Sequence, residues 1–419
     1  MKWEYWRIQE QKIKDLLTIF GCVLIEGPKQ SGKTFIAKKI ARSAFYVQEN
    51  GLKNLEFLNW PIPTNPIFKG NQPRLIDEWQ IIPQIWDKVR FIIDQSIEQR
   101  GLFILTGSSA PNYKKIFHNG AGRIAIYPMH TLTFAELADQ KEKISLKKLF
   151  TNEPFLPLVS NYEIDWVVKQ LLKGGWPFFN NDNFSPNFIK NYLETITRID
   201  EIGTTKINQK TFFQIIKSLA RLNGSQLNKM TILKDLDQTL SIQTVTKYLN
   251  YLSEHYLSFE LELWSGIQNN KRSRIFSKTK PKVYLCDPSL GLHLLNIKNI
   301  EALFGDLNTL GIYFENQVIK DLIVYAQALD GKIYFYKDSN DFEIDAIMEL
   351  DDGSWAAFEI KLGDAKLDEA AKKLVRFQTK IAKLTTLKPP KFLMIINAAP
   401  FSYQRPDGVY VVSHTSLSI

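Results

Sequence analysis

The stretch that decides the fold of the amino-terminal part of the chain is Gly27-Pro-Lys-Gln-Ser-Gly-Lys-Thr34. It follows the apolar run 21–26 and precedes an amphipathic segment, so the sequence predicts a strand, a glycine-containing loop and a helix. The backbone N–H groups of such a loop point at one spot and bind phosphate. Lys33 is expected to reach the β and γ phosphates, and the Thr34 hydroxyl to ligate Mg²⁺. We therefore expect ATP and Mg²⁺ as cofactors, with the nucleotide bound by Gly27, Pro28, Lys29, Gln30, Ser31, Gly32, Lys33 and Thr34.

The composition is that of a globular protein. Its 419 residues exceed one ordinary core and predict two or three domains. The net charge of +9 permits a polyanionic partner without requiring one. The two cysteines, Cys22 and Cys286, lie far apart and indicate neither a disulfide framework nor a metal cluster, which fits a reducing compartment. Because the sequence has no signal-peptide pattern and no apolar run near ~18 residues, we expect a cytoplasmic protein without a membrane span.

The order of strands and helices predicts an α/β fold. A helix over 4–19, the strand before Gly27 and a helix over 32–45 are followed by a strand ending at Asp77, a helix reaching Ile97 and a strand over 102–106. Strands that alternate with helices of this length predict a parallel sheet covered on both faces. After Glu136 the pattern changes to helical segments joined by polar loops, and the tail from Gly311 is again mixed.

Two acidic residues and two further side chains complete the expected nucleotide site. Asp77 ends a strand and is expected to hold Mg²⁺ from its second shell, while Glu78 is expected to polarise the attacking water. An acidic pair that merely solubilises the strand end is the alternative. Ser108 is expected to sense the γ phosphate or, alternatively, to cap a helix. Arg123 is expected to reach a phosphate of its own or a neighbouring subunit, unless it is a plain surface arginine.

Several strings resemble one family. Leu75-Ile-Asp-Glu-Trp-Gln80, Phe103-Ile-Leu-Thr-Gly-Ser-Ser-Ala-Pro111 and Gly120-Ala-Gly-Arg-Ile124 look like the prokaryotic AAA-type ATPases that carry a C-terminal domain known as DUF4143. Later strings, among them Gly174-Gly-Trp-Pro177 and the stretch 280–291, extend the resemblance over most of the chain. Trp176 departs from the smaller apolar or aromatic residue usual there. The resemblance implies an AAA-type P-loop NTPase fold, but it is much less specific for activity.

The middle of the chain predicts a winged helix, from three helical periodicities followed by alternating β residues. The helix 241–253 directs Gln243, Thr244, Lys247 and Asn250 outward, where they suit base edges and phosphates. A basic stretch follows and is expected to lie along a phosphate backbone as a wing. The residues expected to contact nucleic acid, DNA in the first place, are Lys247, Lys271, Arg272, Arg274 and Lys278. A module that packs against protein is the alternative.

The tail carries a second candidate site. Glu359 and Lys361 lie two apart on one predicted strand and therefore face one side, where a hairpin brings them toward Asp345. Two carboxylates can hold a divalent metal, and the lysine can activate water against a phosphodiester. With Glu315 on the preceding helix, this order resembles the restriction-endonuclease-like nuclease core. The Glu-Ile-Lys string alone also occurs by chance on exposed edge strands.

These interpretations give one fold class and four expected domains. The fold class is α/β: a P-loop NTPase parallel sheet, then a helical and winged-helix region, then a C-terminal α/β restriction-endonuclease-like domain. The expected domains are a P-loop ATPase domain over 1–140, a helical linker over 141–208, a winged-helix-like region over 209–300 and a restriction-endonuclease-like DUF4143 domain over 301–419.

Three functions fit the sequence. The first is an ATP hydrolase that couples nucleotide state to a DNA-binding or nuclease-like C-terminal half. The second is a nucleotide-dependent regulatory or scaffold protein whose inactive nuclease-like tail binds a protein partner. The third is a small-molecule kinase, which leaves the additional domains without a role. A homo-oligomer or a protein partner is expected in addition to nucleic acid.

Overall fold

The fold is described from a computed structural model of the full chain. It describes residues 6–49, 53–96, 98–108, 120–179, 187–199, 207–236, 240–265, 280–384 and 387–419. The predicted basic residues Lys271, Arg272, Arg274 and Lys278 lie outside these ranges. In the described ranges, no helix is both long and apolar enough to cross a membrane.

The amino-terminal part is a five-stranded parallel sheet flanked by helices, as the alternating pattern predicts. The strand order across the sheet is β2-β3-β4-β1-β5. Its elements in chain order are α1 (Gln9–Ile19), β1 (Cys22–Glu26), α2 (Lys33–Ile40), β2 (Ser43–Tyr46), α3 (Lys53–Phe57), β3 (Arg74–Asp77), α4 (Gln84–Gln95), β4 (Phe103–Gly107) and β5 (Ile124–Pro128).

Two details differ from the sequence prediction. The helix after the phosphate loop ends at Ile40 rather than near residue 45, because Ala41 adopts an extended backbone. Residues Ser43–Tyr46 then form β2, which pairs in parallel with β3. The segment before Arg123 leads directly into β5, a strand that the sequence analysis did not predict. Short edge strands of this kind carry too few alternating residues to be recognised from their periodicity.

The middle of the chain is mainly helical and contains a small antiparallel sheet of order β8-β10-β9. Its elements are α5 (Phe134–Leu137), β6 (Ile144–Ser145), α6 (Leu146–Phe150), β7 (Leu158–Val159), α7 (Ile164–Lys173), α8 (Asn187–Ile199), α9 (Gln209–Arg221), β8 (Ser225–Gln226), α10 (Lys229–Asp235), α11 (Ile242–Glu254), β9 (Ser258–Leu261) and β10 (Lys282–Leu285).

The carboxyl-terminal part is a mixed seven-stranded sheet with helices against it. The strand order is β11-β12-β13-β14-β16-β15-β7. The three strands β11, β12 and β13 are antiparallel, whereas β13, β14 and β16 are parallel. Its elements are α12 (Pro288–Leu294), α13 (Ile300–Phe304), α14 (Leu307–Ala328), β11 (Gly331–Lys337), β12 (Glu343–Leu350), β13 (Trp355–Lys361), α15 (Leu367–Leu384), β14 (Leu393–Asn397), β15 (Phe401–Gln404), β16 (Tyr410–Ser413) and β17 (Leu417–Ser418).

The hydrophobic cores cross the expected domain boundaries. One cluster joins Ile8, the segment from Phe134 to Leu171, and α14 with one face of the carboxyl-terminal sheet. A second cluster joins α8 to α9, α10, α11 and β10. The stretch predicted as a helical linker over 141–208 is thus shared between two cores. The boundaries at 140, 208 and 300 stay predictions.

Candidate functional site: the phosphate loop and its acidic pair

The loop between β1 and α2 has the backbone that its glycines permit. Gly27 has a φ of +150°, and a Cβ there would lie 2.2 Å from the Met129 carbonyl oxygen. Gly32 has a φ of +94° and directly precedes α2. A side chain at either position would be strained, because L-residues rarely adopt these dihedrals. The loop therefore turns the first N–H groups of α2 toward the carboxyl end of the sheet, where anions bind in such folds.

Lys33 lies folded into this loop. Its ammonium group donates to the carbonyl oxygens of Gly27 at 2.9 Å and Pro28 at 2.8 Å. The side chain is only 5% exposed. Burial lowers the pKa of Lys33 to about 8, against the opposing effect of the Glu78 and Asp77 carboxylates. The cation is thus held where phosphates would arrive, and binding a phosphate oxygen would replace one of the two carbonyl contacts.

Thr34 and Asp77 adjoin each other at the carboxyl ends of the strands. The Thr34 hydroxyl donates to Asp77 Oδ1 at 2.9 Å, and the Thr106 hydroxyl donates to the same oxygen. Asp77 and Thr106 are direct neighbours on β3 and β4. A hydroxyl beside a carboxylate is a donor set that suits Mg²⁺. The residues present therefore fit the ion that the sequence predicts.

Glu78 is placed by three neighbours. Its backbone is left-handed, with a φ of +55°, and its N–H donates to the Thr106 hydroxyl at 3.3 Å. Ser108 donates its hydroxyl toward both Glu78 carboxylate oxygens, at 3.1 and 3.0 Å, and the Gln80 amide donates to one of them. A strained backbone of this kind persists where the surroundings hold it, and it is common at functional sites. Ser108 thus contacts the expected base, which neither of its two predicted roles included.

Arg123 does not lie at the phosphate loop of its own chain. It directly precedes β5, and its carbonyl oxygen accepts from Cys22 at the start of β1, so it lies at the amino end of the sheet. The phosphate loop leaves β1 at the opposite end. The Arg123 guanidinium instead pairs with Asp94 at 2.9 Å. The predicted contact with a phosphate of the same chain is therefore wrong, while a role toward a neighbouring subunit stays a prediction.

Two side chains from outside the sheet contact the phosphate loop. Arg7, 3% exposed, donates to the Ser31 carbonyl at 2.8 Å and pairs with Glu136 at 3.0 Å. The Tyr192 hydroxyl, on α8, donates to the Lys29 carbonyl at 3.2 Å. The sequence analysis missed both residues and also Gln80. Gln80 belongs to the family string that ends at that residue, but the string assigned it no role. The contacts of Arg7 and Tyr192 join positions too far apart to leave a signal in a single sequence.

The helix α11 exposes the polar face that the sequence predicts. Gln243, Lys247 and Asn250 are exposed, and Val245 and Leu252 are buried. Ile242, which the sequence placed on the buried face, is 45% exposed because it begins the helix. A shallow cavity of 490 Å³ runs along this face, lined by Ile242, Gln243, Thr246, Lys247, Asn250, Tyr251 and Glu254.

The structure brings Asp345, Glu359 and Lys361 together. The Lys361 ammonium lies 3.2 Å from Asp345 Oδ2 and 2.9 Å from Glu359 Oε2. Glu315 instead accepts from the Tyr284 hydroxyl at 2.7 Å, and its charge interacts with that of Asp345. Burial, then the Asp345 carboxylate, raises the pKa of Glu359 to about 7. Within the described ranges, no group of three or more His, Cys, Asp or Glu residues is arranged to hold a metal ion.

Comparison with known families divides the chain into three matches. Residues 20–138 match a family described as an AAA domain, and residues 310–417 match a domain of unknown function, DUF4143. Residues 164–301 match a further domain of unknown function, DUF8612. The resemblance to AAA-type ATPases with a DUF4143 domain is confirmed. The restriction-endonuclease-like character of the tail stays a prediction.

Individual relatives are distant in sequence. An uncharacterised protein of Mycobacterium tuberculosis is 23% identical over 345 residues, which cover 81% of this chain and 70% of the relative. An uncharacterised protein of Methanocaldococcus jannaschii is 23% identical over 401 residues, which cover 90% of this chain and 86% of the relative.

A comparison with solved structures finds a Walker-type ATPase of Pyrococcus abyssi. It is 12% identical, the match covers 68% of this chain and 94% of that one, and the TM-score is 0.39. A RuvB variant of Thermotoga maritima is 14% identical, with 60% and 87% covered and a TM-score of 0.27. By its family matches, the chain contains an AAA domain in its amino-terminal part and a DUF4143 domain at its carboxyl-terminal end.

Proposed function

We propose that the protein is a Mg²⁺-dependent ATP hydrolase. The observation that carries the proposal is the placement of Asp77 and Glu78 at the carboxyl end of β3, beside the phosphate loop. Asp77 accepts from the Thr34 hydroxyl, and Glu78 is held separately by Ser108. Asp77 is thereby placed to hold Mg²⁺ and Glu78 to orient water, the two roles that phosphoryl transfer to water requires of carboxylates.

Each group at the phosphate loop has a separate role in the proposed hydrolysis. The loop N–H groups and the Lys33 ammonium bind the β and γ phosphates and neutralise their charge. Thr34 and Asp77 would hold Mg²⁺, which supplies further charge neutralisation when bound. Glu78 orients the attacking water and accepts its proton. Ser108 and Gln80 fix the Glu78 carboxylate, so that its approach to water depends on their hydrogen bonds.

Two substitutions test the site. Lys33→Ala is expected to lose ATP binding, whereas Glu78→Gln is expected to keep binding and lower kcat by about 10²–10⁴-fold, the usual contribution of a general base. The measurements are nucleotide affinity by calorimetry and phosphate release with Mg²⁺. Lys39→Ala is the control, because Lys39 lies on the same helix but is half exposed and pairs with Glu10. A Lys33→Ala protein that hydrolysed ATP at the wild-type rate would exclude this site.

A second proposed activity is nucleic-acid binding by the middle of the chain. The order α9, β8, α10, α11, β9, β10, with its antiparallel sheet, supports a winged helix in which α11 contacts DNA. The exposed Gln243, Lys247 and Asn250 along the 490 Å³ cavity favour this over packing against protein. The alternative, a scaffold that binds a protein partner, would leave this polar face without a role.

Fluorescence anisotropy with duplex DNA tests the second activity. Lys247→Ala is expected to weaken DNA binding. It is also expected to reduce the slope of the logarithm of the binding constant against the logarithm of the salt concentration by the amount of about one phosphate contact. Lys217→Ala, an exposed lysine on α9, is the control and should bind as wild type. Equal affinity of the Lys247→Ala and wild-type proteins at every salt concentration would show that α11 does not contact DNA.

A further inference from the structure

The carboxylates of the tail constellation already face ammonium groups at ion-pair distance. Glu359 is 0% exposed, and its two oxygens face two different lysines: Lys361 lies 2.9 Å from Oε2, and Lys373 lies 2.7 Å from Oε1. Asp345 Oδ2 accepts from the Ile360 N–H at 2.8 Å and lies 3.2 Å from Lys361. Every carboxylate oxygen of Glu359 thus has a cationic neighbour.

We infer that this constellation does not take a divalent cation, because Lys373 fills the position that a metal ion would need at Glu359. When both carboxylates are ionised, the two ammonium groups balance their charge. A divalent ion would either join the two ammonium groups beside the fully buried Glu359 or displace the Lys373 ammonium, which is 29% exposed and can turn to solvent. The first alternative is costly because like charges repel in a low-dielectric site, and the second requires the ion to compete with an ammonium group already at ion-pair distance.

The neighbouring carboxylates are occupied in the same way. Glu315 accepts from the Tyr284 hydroxyl at 2.7 Å and lies 3.7 Å from the Lys282 ammonium. Lys282, itself nearly buried, also lies 2.5 Å from Glu343. Both Lys282 and Tyr284 belong to β10, outside the carboxyl-terminal sheet. The carboxylate predicted to support a metal is therefore satisfied by the small middle sheet.

Lys373 is the residue that distinguishes this arrangement from the one predicted. The sequence pattern contains Lys361, whose ammonium lies between Asp345 and Glu359. It does not contain Lys373, which reaches Glu359 from α15. The inference concerns this cluster alone and holds whether or not the protein hydrolyses ATP.

The test is Mn²⁺ binding to the full chain without nucleotide, followed by the electron paramagnetic resonance signal of the free ion. Lys373→Met should gain one Mn²⁺ site that wild type lacks, because the ion replaces the lost ammonium charge. We expect this site to bind Mn²⁺ about tenfold or more tightly than wild type binds the ion at the same cluster. Lys380→Met is the matched control. Lys380 lies on the same helix, is 30% exposed against 29% for Lys373, and pairs with Asp338 outside the cluster. It should gain nothing.

Adding Glu359→Gln to Lys373→Met should abolish the gained site. The inference is overturned if wild type already binds Mn²⁺ as tightly as Lys373→Met, or if Lys373→Met gains no site. Should Lys373→Met fail to fold, wild type and Glu359→Gln are compared directly. Equal Mn²⁺ binding, with no Mn²⁺-dependent cutting of plasmid DNA by wild type, supports the inference. Binding or cutting that disappears in Glu359→Gln overturns it.

Discussion

At the scale of single residues, the segment after β5 is held by contacts with buried charged side chains that no sequence motif predicts. Arg7 donates to the carbonyl oxygens of Ser31 and His130 and pairs with Glu136. His130 therefore lies beside a guanidinium and also near Lys320, and the Asp321 carboxylate opposes these two charges. Burial, then Lys320 and Arg7, lowers the pKa of His130 from 6.5 to about 4. The imidazole is consequently neutral in the folded protein at neutral pH.

This histidine should make the protein sensitive to acid. The folded protein binds the proton more weakly than the unfolded chain, so stability is lost as the pH falls from about 6.5 toward 4. His130→Phe, which keeps the edge contact with Phe259, removes that proton. Between pH 7 and pH 5 the unfolding free energy of both proteins should fall. The fall should be about 1–2 kcal/mol smaller in the variant than in wild type. Denaturant unfolding at both pH values measures this, and parallel losses in the two proteins would refute it.

At the scale of elements, the turn after α7 is built around a glycine. Gly174 has a φ of +75°, and a Cβ there would lie 2.3 Å from Asp287 Oδ1 and 2.4 Å from Ser289 Oγ. The next residue, Gly175, donates its N–H to Asp287 at 2.9 Å, and its carbonyl accepts from Leu132. The turn thereby joins α7, α12 and the segment after β5. Gly174 is needed for its dihedrals and its lack of a side chain, and Gly175 for its lack of a side chain, since a Cβ there would lie 2.4 Å from the Leu132 carbonyl oxygen.

Gly174→Ala should be more destabilising than its backbone dihedral alone explains. We expect a loss of roughly 3 kcal/mol or more, because Gly174 combines a φ of +75° with a ψ of 174°, a region that essentially only glycine adopts, and because a Cβ would clash with Asp287 and Ser289. Gly122→Ala is the comparison, because Gly122 also has a positive φ, of +77°, but has open space around its Cβ position. Thermal unfolding compares them. Equal losses of stability in both variants would mean that Asp287 and Ser289 move aside at no cost in free energy.

At the scale of the whole molecule, buried charges join the AAA domain to the DUF4143 domain. Lys320 and Asp321, both on α14, are fully buried. Lys320 donates to the Leu132 carbonyl at 2.6 Å, and Asp321 accepts from the Phe134 N–H at 2.9 Å. The His414 ring lies 2.9 Å from Asp321. Such contacts are expensive to break because each partner would remain buried and unpaired. The two domains are therefore expected to behave as one unit, which limits large hinge motions between them.

Calorimetry tests this coupling. Wild type should unfold in one transition that includes both domains. Lys320→Met should lower the unfolding free energy by about 3–5 kcal/mol, because Asp321 and the Leu132 carbonyl lose their partner. Lys332→Met, an exposed lysine on the adjacent strand β11, should change stability by less than about 0.5 kcal/mol. Two resolved transitions in wild type, or a harmless Lys320→Met, would show that the domains are independent.

The amino-acid sequence by itself determined the features whose physics is local. The strand, loop and helix around Gly27–Thr34 follow from dihedral preferences and short-range periodicity, and Asp77 and Glu78 follow from their place at a strand end. The hairpin β12-β13 likewise brings Asp345 to Glu359, as a period of two residues predicts. The family resemblance identified the AAA and DUF4143 domains for the same reason, since it rests on contiguous strings.

Only the tertiary structure decided which distant residues meet these local features. Arg7 and Glu136 are 129 positions apart, and Tyr192 lies 163 positions from the Lys29 carbonyl that it contacts. Lys373 reaches Glu359 from another element, and Arg123 lies at the end of the sheet opposite the phosphate loop. No periodicity encodes such contacts. They depend on how helices and sheets pack, and packing is set by the summed burial of many side chains rather than by any one stretch of sequence.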